Sequence, residues 1–125
     1  GDGNTSIIWN FGHITKSRFG MLKMLGEEAE FPWPEIFDRG SVFSSEAKYP
    51  NIAKMKAVWK DISEKLYAAV EKLSTEELTK ELPYNYPHND NTVSGVLQFI
   101  MFHETYHVGK ISLLRSSLGY EGLIK

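Results

Sequence analysis

The chain has 125 residues, 42% of them hydrophobic, which suits one compact domain and leaves little material for two independent cores. Its 14 Lys and Arg against 16 Asp and Glu give a formal net charge of -2, which argues against a broad cationic footprint and so against nucleic acid or an acidic membrane as partner. Cysteine is absent, which excludes a disulfide frame, a thiolate metal site and a cysteine nucleophile.

The start, Gly1-Asp2-Gly3-Asn4, is neither Met-initiated nor basic and does not read as a signal peptide. It reads as a processed or truncated start. No apolar run approaches a membrane span. A cytoplasmic location is the expectation.

The first helical stretch runs from about Ser6 to Leu25. Ile7, Phe11, Ile14, Arg18, Leu22 and Leu25 recur at spacings of three and four. Trp9, His13, Met21 and Met24 widen that face, so more than one neighbour is expected to cover the helix. Ser6 is a fitting N-cap and Gly26 a fitting stop. Residues 27–50 then form a long connection, with Pro32, Pro34 and Pro50 against a helix interior. Its apolar anchors, Phe31, Trp33, Phe37, Phe43 and Tyr49, predict that it packs over the domain and holds a short helical turn.

A second helix is predicted from about Ile52 to Leu73. Its stripe is Ile52, Met55, Trp59, Ile62, Leu66, Ala69, Val70 and Leu73. Ser74-Thr75-Glu76-Glu77 is a capping-box signature and predicts a short helix to about Glu81. Leu82 to Asn91 reads as a linker in which Tyr84 and Tyr86 could be briefly extended. The last long helix is predicted from about Val93 to Leu118, capped by Thr92 or Asn91 and stopped by Gly119. Its inward stripe is Val93, Val96, Leu97, Ile100, His103, Glu104, His107, Ile111, Leu114 and Leu118. Three long helices with no convincing strand define an all-α fold. The wide apolar face of the first helix suggests that a fourth helix is absent or replaced by a partner chain.

His103-Glu104-Thr105-Tyr106-His107 matches H-E-x-x-H. Four residues turn a helix by about 400°, so both imidazoles leave one face and can reach one divalent ion. In zincins the glutamate of this motif activates water. A protease is nevertheless disfavoured. The only acid after His107 is Glu121, beyond Gly119. Lys110 and Leu113 stand where a metzincin needs Gly and His, and no sheet accompanies the helix. The third ligand must come from His13 or His88. His88, in a Pro-rich linker, reads as a loop residue. A histidine in mid-helix is more often structural, but Gly12 beside His13 signals a close approach by another helix or group. Gly12-His13 facing His103 and His107 gives a three-histidine site across two helices.

These segments resemble a known family. Asn4-Thr5-Ser6-Ile7-Ile8-Trp9-Asn10-Phe11-Gly12-His13-Ile14 is similar to its first motif, roughly N-S-I-x-W-x-x-G-H. The second is matched by Phe102-His103-Glu104-Thr105-Tyr106-His107-Val108-Gly109-Lys110-Ile111, then Leu113-Leu114-Arg115 and Leu118-Gly119. The family is the DinB-like, or DinB/YfiT-like, superfamily of metalloenzymes. The likeness runs from Asn4 to Gly119. It implies a four-helix bundle whose divalent metal, zinc or nickel among others, is held by His13, His103 and His107. It implies transfer or isomerisation chemistry with a low-molecular-weight thiol such as mycothiol, bacillithiol or glutathione. Family chains usually begin with one more helix, so residues 1–125 would be a single DinB-like domain lacking it. Lys110 stands where glutamine is common.

A three-histidine ion would activate a thiol or water toward a small electrophilic substrate. Thiol transfer, hydrolysis of a small substrate and a non-enzymatic stress-response module with a structural or vestigial metal are the three functional expectations. Glu104 is a candidate general base or supporting group, or else pairs with the long connection through Arg39. Arg18 interrupts an apolar face and could meet an anion, but the simpler expectation is that it snorkels or pairs with Glu27 or Glu28. Tyr106 is expected between helices, or with its hydroxyl toward the pocket. Trp9, one turn before His13, could line the pocket wall, but the core is its expected place. Lys110 and Arg115 are expected on solvated faces. The exposed flank of an incomplete bundle predicts a homodimer.

Overall fold

The computed structural model describes residues 6–38, 41, 49–83 and 90–122. Those residues form four helices in the order α1 (Ile7–Met24), α2 (Ile52–Glu71), α3 (Thr75–Thr79) and α4 (Val93–Ser117), with no strand among them. The chain is an all-α helical bundle.

Each helix start follows from a side chain that satisfies an otherwise free backbone N–H. Ser6 accepts from the Trp9 N–H, Asn51 from Ala53 and Thr92 from Gly95. At α3 the capping box is complete: Ser74 Oγ accepts from Glu77 N, and the Glu77 carboxylate accepts from Ser74 N. Those bonds hold the Glu77 carboxyl below the usual carboxylate range. The helix ends are equally local. Gly26 and Gly119 take up φ of 89° and 83°, a left-handed conformation that favours glycine and ends α1 and α4. Helix α3 stops at Thr79, two residues short of the sequence expectation. Lys80 turns extended, and Glu81 forms an isolated antiparallel bridge with Thr92. The expectations for Phe43, Tyr84 and Tyr86 lie outside the described residues.

Helix α1 is the centre of the bundle. It packs against α2 on one side and α4 on the other, while α2 and α4 make no close backbone approach to each other. One apolar cluster joins Met21 and Leu22 of α1 to Ile62 and Leu66 of α2, with Leu97 and Ile100 of α4 against it. A second joins Trp9 to Met55 and to Phe37 of the long connection, flanked by Phe31, Trp33, Ile36 and Tyr49. The connection therefore packs over the domain, with a short turn at residues 34–36. The ends of two expected stripes depart from the pattern. Ile52 and Leu118 are exposed, because each sits at a helix terminus beyond the reach of its neighbour.

Between α2 and α4 lies an open cleft of about 530 Å³, walled mainly by Met21, Leu66, Val70, Leu97, Met101 and Val108. The outer side of α4 continues that apolar surface through Phe102, Tyr106 and Leu113. No helix among the described residues is long and apolar enough to cross a membrane.

Candidate metal centre

His13 leaves the middle of α1, and His103 and His107 leave one face of α4, four residues apart. The α1–α4 contact brings the three together. One ligand atom from each lies within 4.8 Å of the others. His103 Nε2 is 3.3 Å from His13 Nε2 and 3.1 Å from His107 Nε2. Nitrogens held tetrahedrally at the usual zinc distance are about 3.3 Å apart. The two spacings to His103 match that value, and these three histidines could hold a metal ion.

The far side of two rings shows how they are aimed. His13 Nδ1 lies 3.0 Å from the Phe37 carbonyl, and His107 Nδ1 lies 2.7 Å from Asn10 Oδ1. A carbonyl oxygen only accepts, so Nδ1 is the protonated nitrogen in both rings. Each then turns an Nε2 lone pair toward His103 Nε2, which has at most one proton to share between them. A cation at the centre would accept all three lone pairs. His107 is buried. Burial first, then the neighbouring His13, His103 and Lys110, pushes its pKa down to about 4. It is therefore neutral near pH 7, the form that ligates metal.

The rings are walled by aromatic packing. Trp9 stacks on His13 with centroids 4.6 Å apart and planes 13° from parallel. Its Nε1–H donates to Ser41 Oγ at 2.9 Å. Trp9 is the expected core residue and also one wall of the site. The close approach signalled by Gly12 is a loop side chain: a Cβ at Gly12 would fall 2.3–2.6 Å from the Phe37 ring. A side chain there would displace Phe37, whose carbonyl orients His13.

Glu104 lies beside this trio but is turned away from it. Its two carboxylate oxygens accept from Arg18, Oε1 from Nη2 at 2.5 Å and Oε2 from Nε at 3.0 Å. Arg18 also donates to Ser63 Oγ at 2.5 Å and lies 3.8 Å over the Trp59 ring. Burial opposes its charge and is the largest single influence. Glu104 and then Tyr67 together outweigh it, so the guanidinium pKa is raised. The expected pairing of Arg18 with Glu27 or Glu28 is thus replaced by a buried bridge from α1 to α4. The reason is geometric: Arg18 and Glu104 meet inside the helix contact, while the two glutamates are exposed beyond the end of α1. Arg39, the other suggested partner of Glu104, and His88 lie outside the described residues.

Tyr106 is not packed between helices. It is exposed, with its ring edge-on to His107 at 5.2 Å and Lys110 Nζ 5.4 Å from its centroid. Arg115 is half-buried instead of fully solvated, and its Nε is buried without a hydrogen-bond partner. Sequence reasoning missed Asn10, Ser63 and the Phe37 carbonyl. Asn10 could have been flagged as an amide set between Trp9 and Phe11 in an apolar stretch, three residues before a candidate ligand. A backbone carbonyl carries no such signal.

The family model of the DinB superfamily matches residues 1–111. The chain belongs to that superfamily. No curated protein and no solved structure matches it.

Proposed function

We propose that this chain is a divalent-metal-dependent enzyme in which His13, His103 and His107 hold the ion, zinc or nickel being the candidates that the family resemblance implies, and a low-molecular-weight thiol is transferred to a small electrophile. The observation that carries the reading is the convergence of three ring nitrogens, two of them aimed inward by hydrogen bonds at Nδ1. An ion held by neutral imidazoles keeps its positive charge and lowers the pKa of a thiol or water brought to it. The chain's own part is to hold the three rings and, through Trp9 and Phe37, to wall one side of them. In this reading Glu104, bound at both oxygens by Arg18, fixes the position of α4 beside His103 and reaches chemistry only if Arg18 releases it.

Elemental analysis of protein purified without an affinity tag tests the site. The expectation is near one divalent ion per chain in the wild type and little in His13→Ala. Full retention in His13→Ala would remove His13 from the site. Turnover of an electrophile with and without added thiol then tests the reaction. A rate that depends on thiol supports transfer. Thiol-independent cleavage of an ester would assign the site to hydrolysis. A tightly held ion with neither activity would favour the structural-metal reading.

A further inference from the structure

Asn10 is completely buried within α1, at a depth where an amide is costly unless its groups are bonded. Its orientation is fixed by chemistry. The Ser6 carbonyl can only accept, and the Asn10 amide nitrogen lies 2.8 Å from it, so this end of the amide is the donor. The oxygen end therefore faces His107 Nδ1 at 2.7 Å, across 97 positions of sequence. The Ser6 carbonyl that anchors the amide also accepts the Asn10 backbone N–H at 3.1 Å, and Ser6 is the residue that caps α1. A capped helix start, an anchored amide and an α4 imidazole thus form one chain of hydrogen bonds.

We infer that Asn10 is a positioning residue for the metal centre: its side-chain oxygen locks His107 in the Nδ1–H tautomer and so directs the Nε2 lone pair at His13 and His103. An unconstrained neutral histidine favours the other tautomer, with the proton on Nε2, which would point N–H at the place an ion must occupy. The hydrogen bond made by one ring nitrogen decides which form is present. A partner of this kind tunes ligand orientation and basicity, and its removal typically costs 10–100-fold in metal affinity. Phe37 serves His13 in the same way through main chain, which a substitution cannot remove. Asn10 is the side-chain counterpart and so the one open to mutation.

The inference rests on the metal-binding reading, but its first test does not need metal. Multiple-bond proton–nitrogen NMR of the ¹⁵N-labelled, ion-free wild type at neutral pH, with His107 assigned by its loss in His107→Ala, reports the tautomer directly. Nδ1–H is expected at His107, and Nε2–H there would overturn the inference. In Asn10→Leu, similar in size but without an acceptor, the ring is expected to shift toward Nε2–H, and zinc affinity in a competition titration to fall about 10–100-fold. Asn10→Asp keeps an oxygen for His107 and is expected to retain the Nδ1–H form, which a merely space-filling role for the amide would not predict. An Asn10→Leu protein that kept the tautomer and wild-type zinc affinity would sink the proposal. If Asn10→Leu did not fold, the wild-type and Asn10→Asp spectra would decide. A wild type that binds neither zinc nor nickel would defeat the metal reading, while the NMR result would still stand or fall alone.

Discussion

Helix α4 has two sides that depart from ordinary solvent partitioning in opposite directions. Toward α1 it places a buried His107 and a partly buried His103, on the same helix as the buried Val93 and Val96. Toward solvent it places Met101, Phe102 and Leu113, each about 70% exposed. The polar groups inside are held by particular partners: Asn10 for His107, Arg18 for Glu104. Among the apolar groups outside, the Tyr106 ring has Lys110 Nζ 5.4 Å from its centroid. The difference teaches that the inner side is constrained atom by atom, whereas the outer side is constrained only by apolar area. Substitutions on the two sides should therefore differ sharply in effect.

The largest effect is expected at the trio. His107→Ala should abolish stable ion binding, measured by elemental analysis after dialysis. Its retention at wild-type level would put the ion elsewhere. Next comes the α1–α4 bridge. Glu104→Ala leaves a buried guanidinium without its carboxylate and should cost about 3 kcal/mol in denaturant unfolding. A loss under 1 kcal/mol would mean that Ser63 and Tyr67 suffice for Arg18.

A comparable effect is expected from pH. The folded protein holds His107 near 4, below its ordinary value of about 6.5. As pH falls through that window the unfolded chain takes up a proton first. Ion-free protein should therefore lose stability between about pH 6.5 and 4, at most about 3 kcal/mol and less by whatever solvent screening removes. The His107→Ala variant should show a flatter profile over the same range, and an equal slope in both would assign the dependence to other groups. Gly12→Ala should cost about 1–3 kcal/mol, because its Cβ overlaps the Phe37 ring. It should also weaken ion binding by moving the carbonyl that aims His13. The smallest effect belongs to the outer side: Phe102→Ser and Leu113→Ser should change unfolding free energy by less than about 0.5 kcal/mol and leave ion content unchanged. A large loss at either position would show that this side is covered in solution.

Much of this contrast was legible in the sequence, and the exceptions have physical causes. The caps at Ser6, Ser74 and Thr92 and the stops at Gly26 and Gly119 are local chemistry, so helix positions followed to within a residue or two. His103 and His107 were readable because i and i+4 must share a face. His13 was readable through its glycine neighbour, although the group that approaches Gly12 is a ring from the connection. The fates of Arg18 and Tyr106 were not readable. Apolar residues surround α4 on nearly all sides, so hydrophobic pattern alone sets its rotation loosely. The partner of Arg18 depends on that rotation. Asn10 was passed over because its value lies in a contact 97 residues away.

The Phe37 carbonyl has one more consequence. It belongs to an irregular stretch between two helices, yet it steers a nitrogen donor at the bundle's interior. Occupancy of the centre is thereby tethered to the order of a segment that has no repeating backbone bonds of its own. Loading the protein with an ion should slow amide hydrogen exchange around residues 36–38, so a loop 24 positions along the chain from His13 would serve as a gauge of whether the three rings are filled.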